Sequence, residues 1–173
     1  MSKKIILSPV ATGKTTFINN NPSIACGEWL STFNYYKKGI HMGSTGAEVP
    51  SSHPLYKNWE NLYKIGVEKF YNSDSKIMIY NCPNHIPWLK NVYNDIKLEI
   101  VMVDEDENYK RYIKRLDNHK DSKLTFKELI NINSSLLNNK WSWQWILNER
   151  TEYQRLSDIF DVKIYKTFEE ACG

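Results

Sequence analysis

Gly13-Lys14-Thr15 is the group of residues in this chain best suited to handling phosphate. The run Ile5-Ile6-Leu7 before it has the composition of a buried strand, a tight turn follows Ser8, and Gly13-Lys14-Thr15 opens a helix. In that setting the backbone amides of Val10, Ala11, Thr12, Gly13, Lys14, Thr15 and Thr16 can converge on an anion at a helix N-terminus. Lys14 would neutralise the β- and γ-phosphates of a nucleotide, and the Thr15 hydroxyl would ligate Mg²⁺. Gly13 spares the backbone a Cβ where it approaches phosphate closely. The spacing departs from G-x-x-x-x-G-K-[ST] at one position, where Ser8 stands for the first glycine.

Charge offers further candidates. The chain has 19 Lys but only four Arg, at 111, 115, 150 and 155, a bias that goes with its richness in Asn, Ile and Tyr. Each Arg is therefore suspect of doing what Lys cannot, such as gripping phosphate with a planar fork. Arg111 and Arg115 are four residues apart and share one helical face, although Lys110 and Lys114 would also suit an ordinary solvated basic face. Arg150, in Asn148-Glu149-Arg150, is an additional clamp candidate. Glu28, in Cys26-Gly27-Glu28-Trp29, would sit at the carboxyl end of a short second strand, where open α/β sheets bind ligands. Asp104-Glu105 closes the apolar run Ile100-Val101-Met102-Val103 and is either an acidic metal box or a helix cap. Trp29 and Tyr36 are the foremost aromatic residues for stacking on a base, whereas Trp59 falls on a helical stripe and reads as core. The spacing of His41, His85 and His119 with Cys suggests no transition-metal site.

These residues need elements to position them. Lys3 to Leu7 forms the first strand, and a helix from Gly13 to about Asn20 stops at Asn21-Pro22. Residues 31–52 lack a clear period and read as a long loop over the substrate. Pro54 opens a helix carrying Leu55, Trp59, Leu62, Gly66 and Phe70 on one stripe. Lys76 to Tyr80 is a buried strand ending at Asn81, Pro87 opens a helix to about Ile96, and Leu98 to Val103 is a further strand. A helix from about Glu107 to Asn118 leads into a polar stretch, 117–123, expected to be a mobile lid. Thr125-Phe126-Lys127-Glu128 is a capping box. A helix from Trp141 to about Ser157, a strand at Val162 to Tyr165 and a short helix capped at Thr167 complete the chain. Trp141 and Trp145 belong on one face of their helix, and Trp143 has no assigned place. The alternation implies one parallel sheet with helices on both faces.

Five strands, a phosphate loop after the first, an acidic residue after the second and an Arg-bearing helix after the fourth resemble the P-loop nucleoside and nucleotide kinases. The small deoxynucleoside monophosphate kinases of phages are the most similar group. The resemblance implies a three-layer P-loop kinase fold, a five-stranded parallel sheet in a single domain spanning 1–173, with ATP and Mg²⁺ as cofactors. It implies catalytic roles for Lys14, Glu28, Arg111 and Arg115, with Glu28, Trp29, Tyr36 and Arg150 on the acceptor side. Family members commonly carry Asp where this chain has Glu28.

Composition sets the outer limits. At 173 residues, 41% hydrophobic and 25% charged, the chain suits one globular domain. No apolar run approaches the roughly 20 residues that span a bilayer. Met1-Ser2-Lys3-Lys4 runs at once into a short strand, so no targeting core is expected. Cys26, Cys82 and Cys172 are far apart, which suits a reducing, cytoplasmic setting. A net charge of +3 without a basic stripe does not favour a nucleic-acid partner. The expected activity is transfer of the ATP γ-phosphoryl group to a nucleotide, foremost a deoxynucleoside monophosphate. The alternatives are a hydroxyl acceptor on a nucleoside, DNA end or modified base, a P-loop ATPase or nucleotide sensor using Asp104-Glu105, and a non-catalytic nucleic-acid binder.

Overall fold

Strands and helices alternate along the described residues, 2–30, 33–37, 40–44, 59–120 and 143–173 of a computed structural model. In chain order they are β1 (Lys4–Leu7), α1 (Lys14–Asn19), β2 (Ala25–Cys26), α2 (Gly27–Leu30), β3 (Phe33–Lys37), β4 (Ile40–Ser44), α3 (Trp59–Tyr71) and β5 (Ile77–Tyr80). A 3₁₀ turn (Pro83–His85) then leads into α4 (Ile86–Val92), followed by β6 (Lys97–Val101), α5 (Glu105–Lys120), α6 (Trp143–Phe160), β7 (Lys163–Tyr165) and α7 (Phe168–Cys172).

Five of the strands form one sheet in the order β2-β5-β1-β6-β7, with every neighbouring pair parallel. Such a sheet must be covered on both faces, so its strands read as apolar runs whose side chains alternate between two cores. Ile5, Leu7, Met78, Tyr80 and Ile100 face a core shared with Val67 and Phe70 of α3, Leu89 of α4 and Tyr153 and Leu156 of α6. Ile6, Ile79 and Val101 face the opposite one, closed by Ile18 of α1 and by Phe168 and Ala171 of α7. Phe17 stacks on Phe168 with centroids 5.1 Å apart, joining α1 to α7. The result is the expected three-layer α/β fold, a five-stranded parallel sheet with helices on both faces. Among the described residues no helix is long and apolar enough to cross a membrane.

Two expectations need correction. The stretch read as a loop contains an antiparallel hairpin, β3 against β4, with Tyr35 opposite Met42 and Tyr36 opposite His41. Phe33, Tyr35 and Tyr36 favour strands and Ile40-His41-Met42-Gly43 alternates, but each run is too short for its period to stand out from the polar residues around it. The second concerns a helix end: the helix expected to stop at about Asn118 runs through Lys120 as α5. Glu105, Asp106 and Glu107 favour that helix by placing negative charge in its first turn. Residues 121–123, the capping box at Thr125, Trp141 and the helix start at Pro54 lie outside the described residues.

The sheet order places the phosphate loop. From β1 the chain crosses towards β2, whereas from β6 it crosses the other way to β7, so the connections after these two neighbouring strands diverge. A crevice at the carboxyl ends of the strands is the consequence of such a switch. The loop after β1 and the start of α5 both open there.

At the other side of the sheet, Gly27 begins α2 hard against β5. A Cβ added to it would lie 2.4 Å from the Tyr80 Cβ, and Tyr80 is fully buried. Gly27→Ala is therefore expected to destabilise the protein by about 1–3 kcal/mol, the usual cost of overpacking. Urea unfolding checks this, and an unchanged midpoint would show that β2 and α2 can shift without cost.

Candidate functional site

The loop between β1 and α1 is tight because two of its residues adopt left-handed conformations, Ala11 at φ 59° and Gly13 at φ 89°. Glycine takes this geometry without strain, and at Gly13 a side chain would also meet the Arg111 guanidinium, 2.1 Å from the Cβ position. Ser8 occupies the position of the motif's first glycine for a visible reason. Fully buried, its hydroxyl donates to the Val101 carbonyl at 2.7 Å and lies 2.7 Å from the Thr12 hydroxyl. Thr12 Oγ1 is also 3.0 Å from the Pro9 carbonyl. Ser8 and Thr12 thus staple the loop to itself and to β6.

Helices α5 and α6 hold the loop from outside. Asn108 of α5, fully buried, donates through Nδ2 to the carbonyls of Val10 and Ala11, each at 3.0 Å. Arg111, one turn on, donates through Nη1 to the Thr12 carbonyl at 2.6 Å and through Nε to Glu107 at 2.9 Å. Arg150 of α6 donates to the Val103 carbonyl at 2.8 Å and to Asn108 Oδ1 at 3.0 Å, which fixes the Asn108 amide. Glu149 Oε1 accepts from the Val10 amide at 2.9 Å, and both its oxygens accept from Asn81 Nδ2, at 3.2 and 3.1 Å. The Tyr153 hydroxyl donates to Asn81 Oδ1 at 2.8 Å.

A division of polar groups results. Every carbonyl from Pro9 to Gly13 is met by a protein donor: Thr12 and Lys14 at Pro9, Asn108 at Val10 and Ala11, Arg111 at Thr12 and the Phe17 amide at Gly13. The amides of Ala11, Thr12, Gly13, Thr15 and Thr16, by contrast, donate to no acceptor among the described residues. The Val10 amide is engaged by a side chain, Glu149. Donors left open in a backbone concavity, beside an ammonium, make an anion site.

The electrostatics follow from burial. Desolvation raises the Glu149 carboxyl above its ordinary pKa, while the Val10 amide, Asn81 and the charge on Lys14 act in the opposite sense. Burial likewise raises Tyr153 and lowers Arg150. Beside the loop lies a cavity of about 220 Å³ whose lining includes Thr12, Thr16, Phe17, Arg111, Lys166 and Phe168. Thr15 is exposed at the head of α1. Among the described residues no three His, Cys, Asp or Glu side chains converge on a metal position.

The remaining candidates are less concentrated. Glu28 and Trp29 fall in α2 beyond β2, two strands from β1, and Tyr36 falls in β3. Their side chains lie outside what is described. Arg115 is exposed one turn beyond Arg111. Arg150 proves to be a tie between α6, α5 and β6. Asp104 is exposed and bound to Lys166 at 2.7 Å, and this partner holds its carboxyl below the ordinary value. Trp143 gains a place, packed on Tyr109 and Tyr112 with centroids 5.0 and 5.8 Å away. His85 is buried with Nδ1 2.9 Å from the Tyr80 hydroxyl.

Sequence reasoning missed Asn108, Glu149 and the partnership of Asn81 with Tyr153. One signal was available. Ile146, Glu149, Tyr153 and Leu156 form the buried stripe of α6, and a carboxylate in an apolar stripe needs a polar partner in the interior.

No family model matches the chain, and no curated protein matches it either. Among solved structures it is similar to the crystal structure of a sulfotransferase from Alicyclobacillus acidocaldarius, with 12% identity over 99% of this chain and 75% of that one and a TM-score of 0.47. A likeness this faint has no bearing on activity.

The loop's dependence on side chains is open to test. Ser8→Gly would restore the motif's usual residue yet leave the Val101 carbonyl unmet, at an expected cost of about 1–3 kcal/mol. Asn108→Leu, which strips donors from two carbonyls, is expected to cost at least as much. Thermal and urea unfolding measure both, and a Ser8→Gly protein as stable as its parent would contradict the staple.

Proposed function

We propose that this protein is an ATP-dependent phosphotransferase acting on a nucleotide, foremost a deoxynucleoside monophosphate. The observation that supports it best is the division of the loop's polar groups, with carbonyls met by protein and five amides left for an anion. Phosphoryl transfer needs little covalent chemistry from the protein, only alignment and charge neutralisation.

In this reading a triphosphate lies along the amides from Ala11 to Thr16. Lys14, whose Nζ donates to the Pro9 carbonyl, turns towards the β- and γ-phosphates. The cavity bounded by Phe17, Arg111 and Lys166 adjoins the loop and would take the ribose and base of the donor. Arg111 borders both the loop and that cavity, so its fork can follow charge on the group in flight. Arg115 would approach from the next turn of α5. Thr15 offers one exposed hydroxyl, which suits Mg²⁺, a cation that takes most of its ligands from phosphate and water. Mg²⁺, when bound, shields the negative charge of the β- and γ-phosphates. On the acceptor side, Glu28, Trp29 and Tyr36 come from α2 and β3.

The ATPase reading has less support. Its acidic box would be Asp104, which is exposed and already paired with Lys166 on the β7 side of the sheet.

Incubation with ATP, Mg²⁺ and a panel of nucleosides, deoxynucleoside monophosphates and DNA ends tests the proposal. Phosphorylation of a monophosphate is expected, with Lys14→Ala lowering turnover by about 10²-fold or more. Glu28→Gln should leave turnover within about tenfold, because a phosphate acceptor needs no general base; a larger loss would point to a hydroxyl acceptor. Hydrolysis that no acceptor stimulates and that vanishes in Asp104→Asn would favour the ATPase.

A further inference from the structure

β5 is the strand hydrogen-bonded to β1 on the side away from β6, so the residue that ends it stands beside the phosphate loop. That residue is Asn81, which carries no charge. A carboxylate nevertheless reaches the same place from a distant helix. Glu149 of α6 binds Asn81 through both oxygens and the Val10 amide through Oε1. Its position is over-determined: Tyr153, one turn further along the same face of α6, donates to Asn81 Oδ1 and so aims the Asn81 amide at the carboxylate.

A structural role alone does not account for the charge. The Val10 amide could be met by a neutral glutamine, without the cost of desolvating a carboxylate. Glu149 is only 8% exposed, and among the described residues it forms no ion pair within 4.0 Å. Its Oε2 accepts one hydrogen bond, from Asn81 Nδ2 at 3.1 Å, which leaves acceptor capacity on that oxygen. Lys14 is close enough to feel its charge.

We propose that Glu149 supplies, from α6, the negative charge that Asn81 lacks at the end of β5, and that this charge acts on the magnesium of a bound magnesium-nucleotide complex. The inference rests on the phosphate-loop reading above. Thr15 would offer the cation a hydroxyl and Glu149 a buried carboxylate. That donor set suits a hard ion that keeps several waters and uses one or two carboxylates.

Magnesium and charge can be separated by measuring ATP affinity calorimetrically in EDTA and in Mg²⁺, with Mn²⁺ binding to the nucleotide complex followed by electron paramagnetic resonance. Glu149→Gln should reduce the affinity gained from Mg²⁺ by about 10–100-fold and weaken Mn²⁺ binding alike. In EDTA the same variant should bind ATP at least as tightly as the parent, because a like charge near the triphosphate is gone. The double variant Asn81→Asp with Glu149→Gln returns the carboxylate to β5 while keeping an amide opposite it, and should recover most of the magnesium gain. Equal weakening of Glu149→Gln in both media, or an intact magnesium gain, overturns the inference. If Glu149→Gln does not fold, the double variant decides: an absent magnesium gain overturns it. A parent protein that binds no ATP in either medium sinks the phosphate-loop reading itself, and this inference with it.

Discussion

A short loop that makes no ladder hydrogen bonds must find other partners for its backbone, and this requirement organises the molecule. Between β1 and α1 the requirement is met for one kind of group and not for the other. Carbonyls are met by Thr12, Lys14, Asn108, Arg111 and Phe17, while five amides stay open among the described residues. Meeting the carbonyls fixes the loop's curvature, and the open amides then share one concavity. The anion site is thus a by-product of how the loop is held. Helices α5 and α6 do the holding, and both lie on the far side of the sequence from the loop they support.

The scarcity of arginine takes on a definite meaning here. Arg111 reaches two acceptors through two nitrogens of its planar fork, a task for which the single ammonium of lysine is poorly shaped, and Arg150 reaches two through Nη1. Arg150 orients Asn108, and Asn108 in turn spans two loop carbonyls. Arg155, by contrast, pairs with Glu152 on the surface, where such pairs contribute little. The arginines therefore divide by position: Arg111 and Arg150 are tied to the site, while Arg115 and Arg155 are exposed away from the loop's carbonyls.

Local signals made much of the fold legible. β1, β5 and β6 are apolar runs because they are buried on both faces, and the phosphate loop announces itself by residues only a few positions apart. Thr167 caps α7 as its sequence suggests, accepting from the Glu170 amide at 3.2 Å. What stayed hidden depends on sequence-distant pairing. Asn108 meets Val10 across 98 residues and Glu149 across 139, separations at which no periodicity or spacing rule operates. The hairpin of β3 and β4 was hidden for a different reason, since two five-residue strands are too short for their alternation to stand out in a Tyr-, Gly- and Ser-rich stretch. Ser8 looked like a defect in the motif because a hydroxyl's value to a loop depends on what lies above it, and Val101 arrives from another strand.

The strand order also dictates a timetable. β1 precedes the other strands of its sheet in the chain but sits in the sheet's centre, and its neighbours β5 and β6 follow only after some 70 and 90 further residues, by the register of Lys4 with Ile77 and Lys97. Until then the most apolar segment of the nascent chain has no strand to pair with. The loop beside it waits longer still, for Glu149 of α6, 139 residues beyond Val10. Parallel pairing over such separations folds slowly.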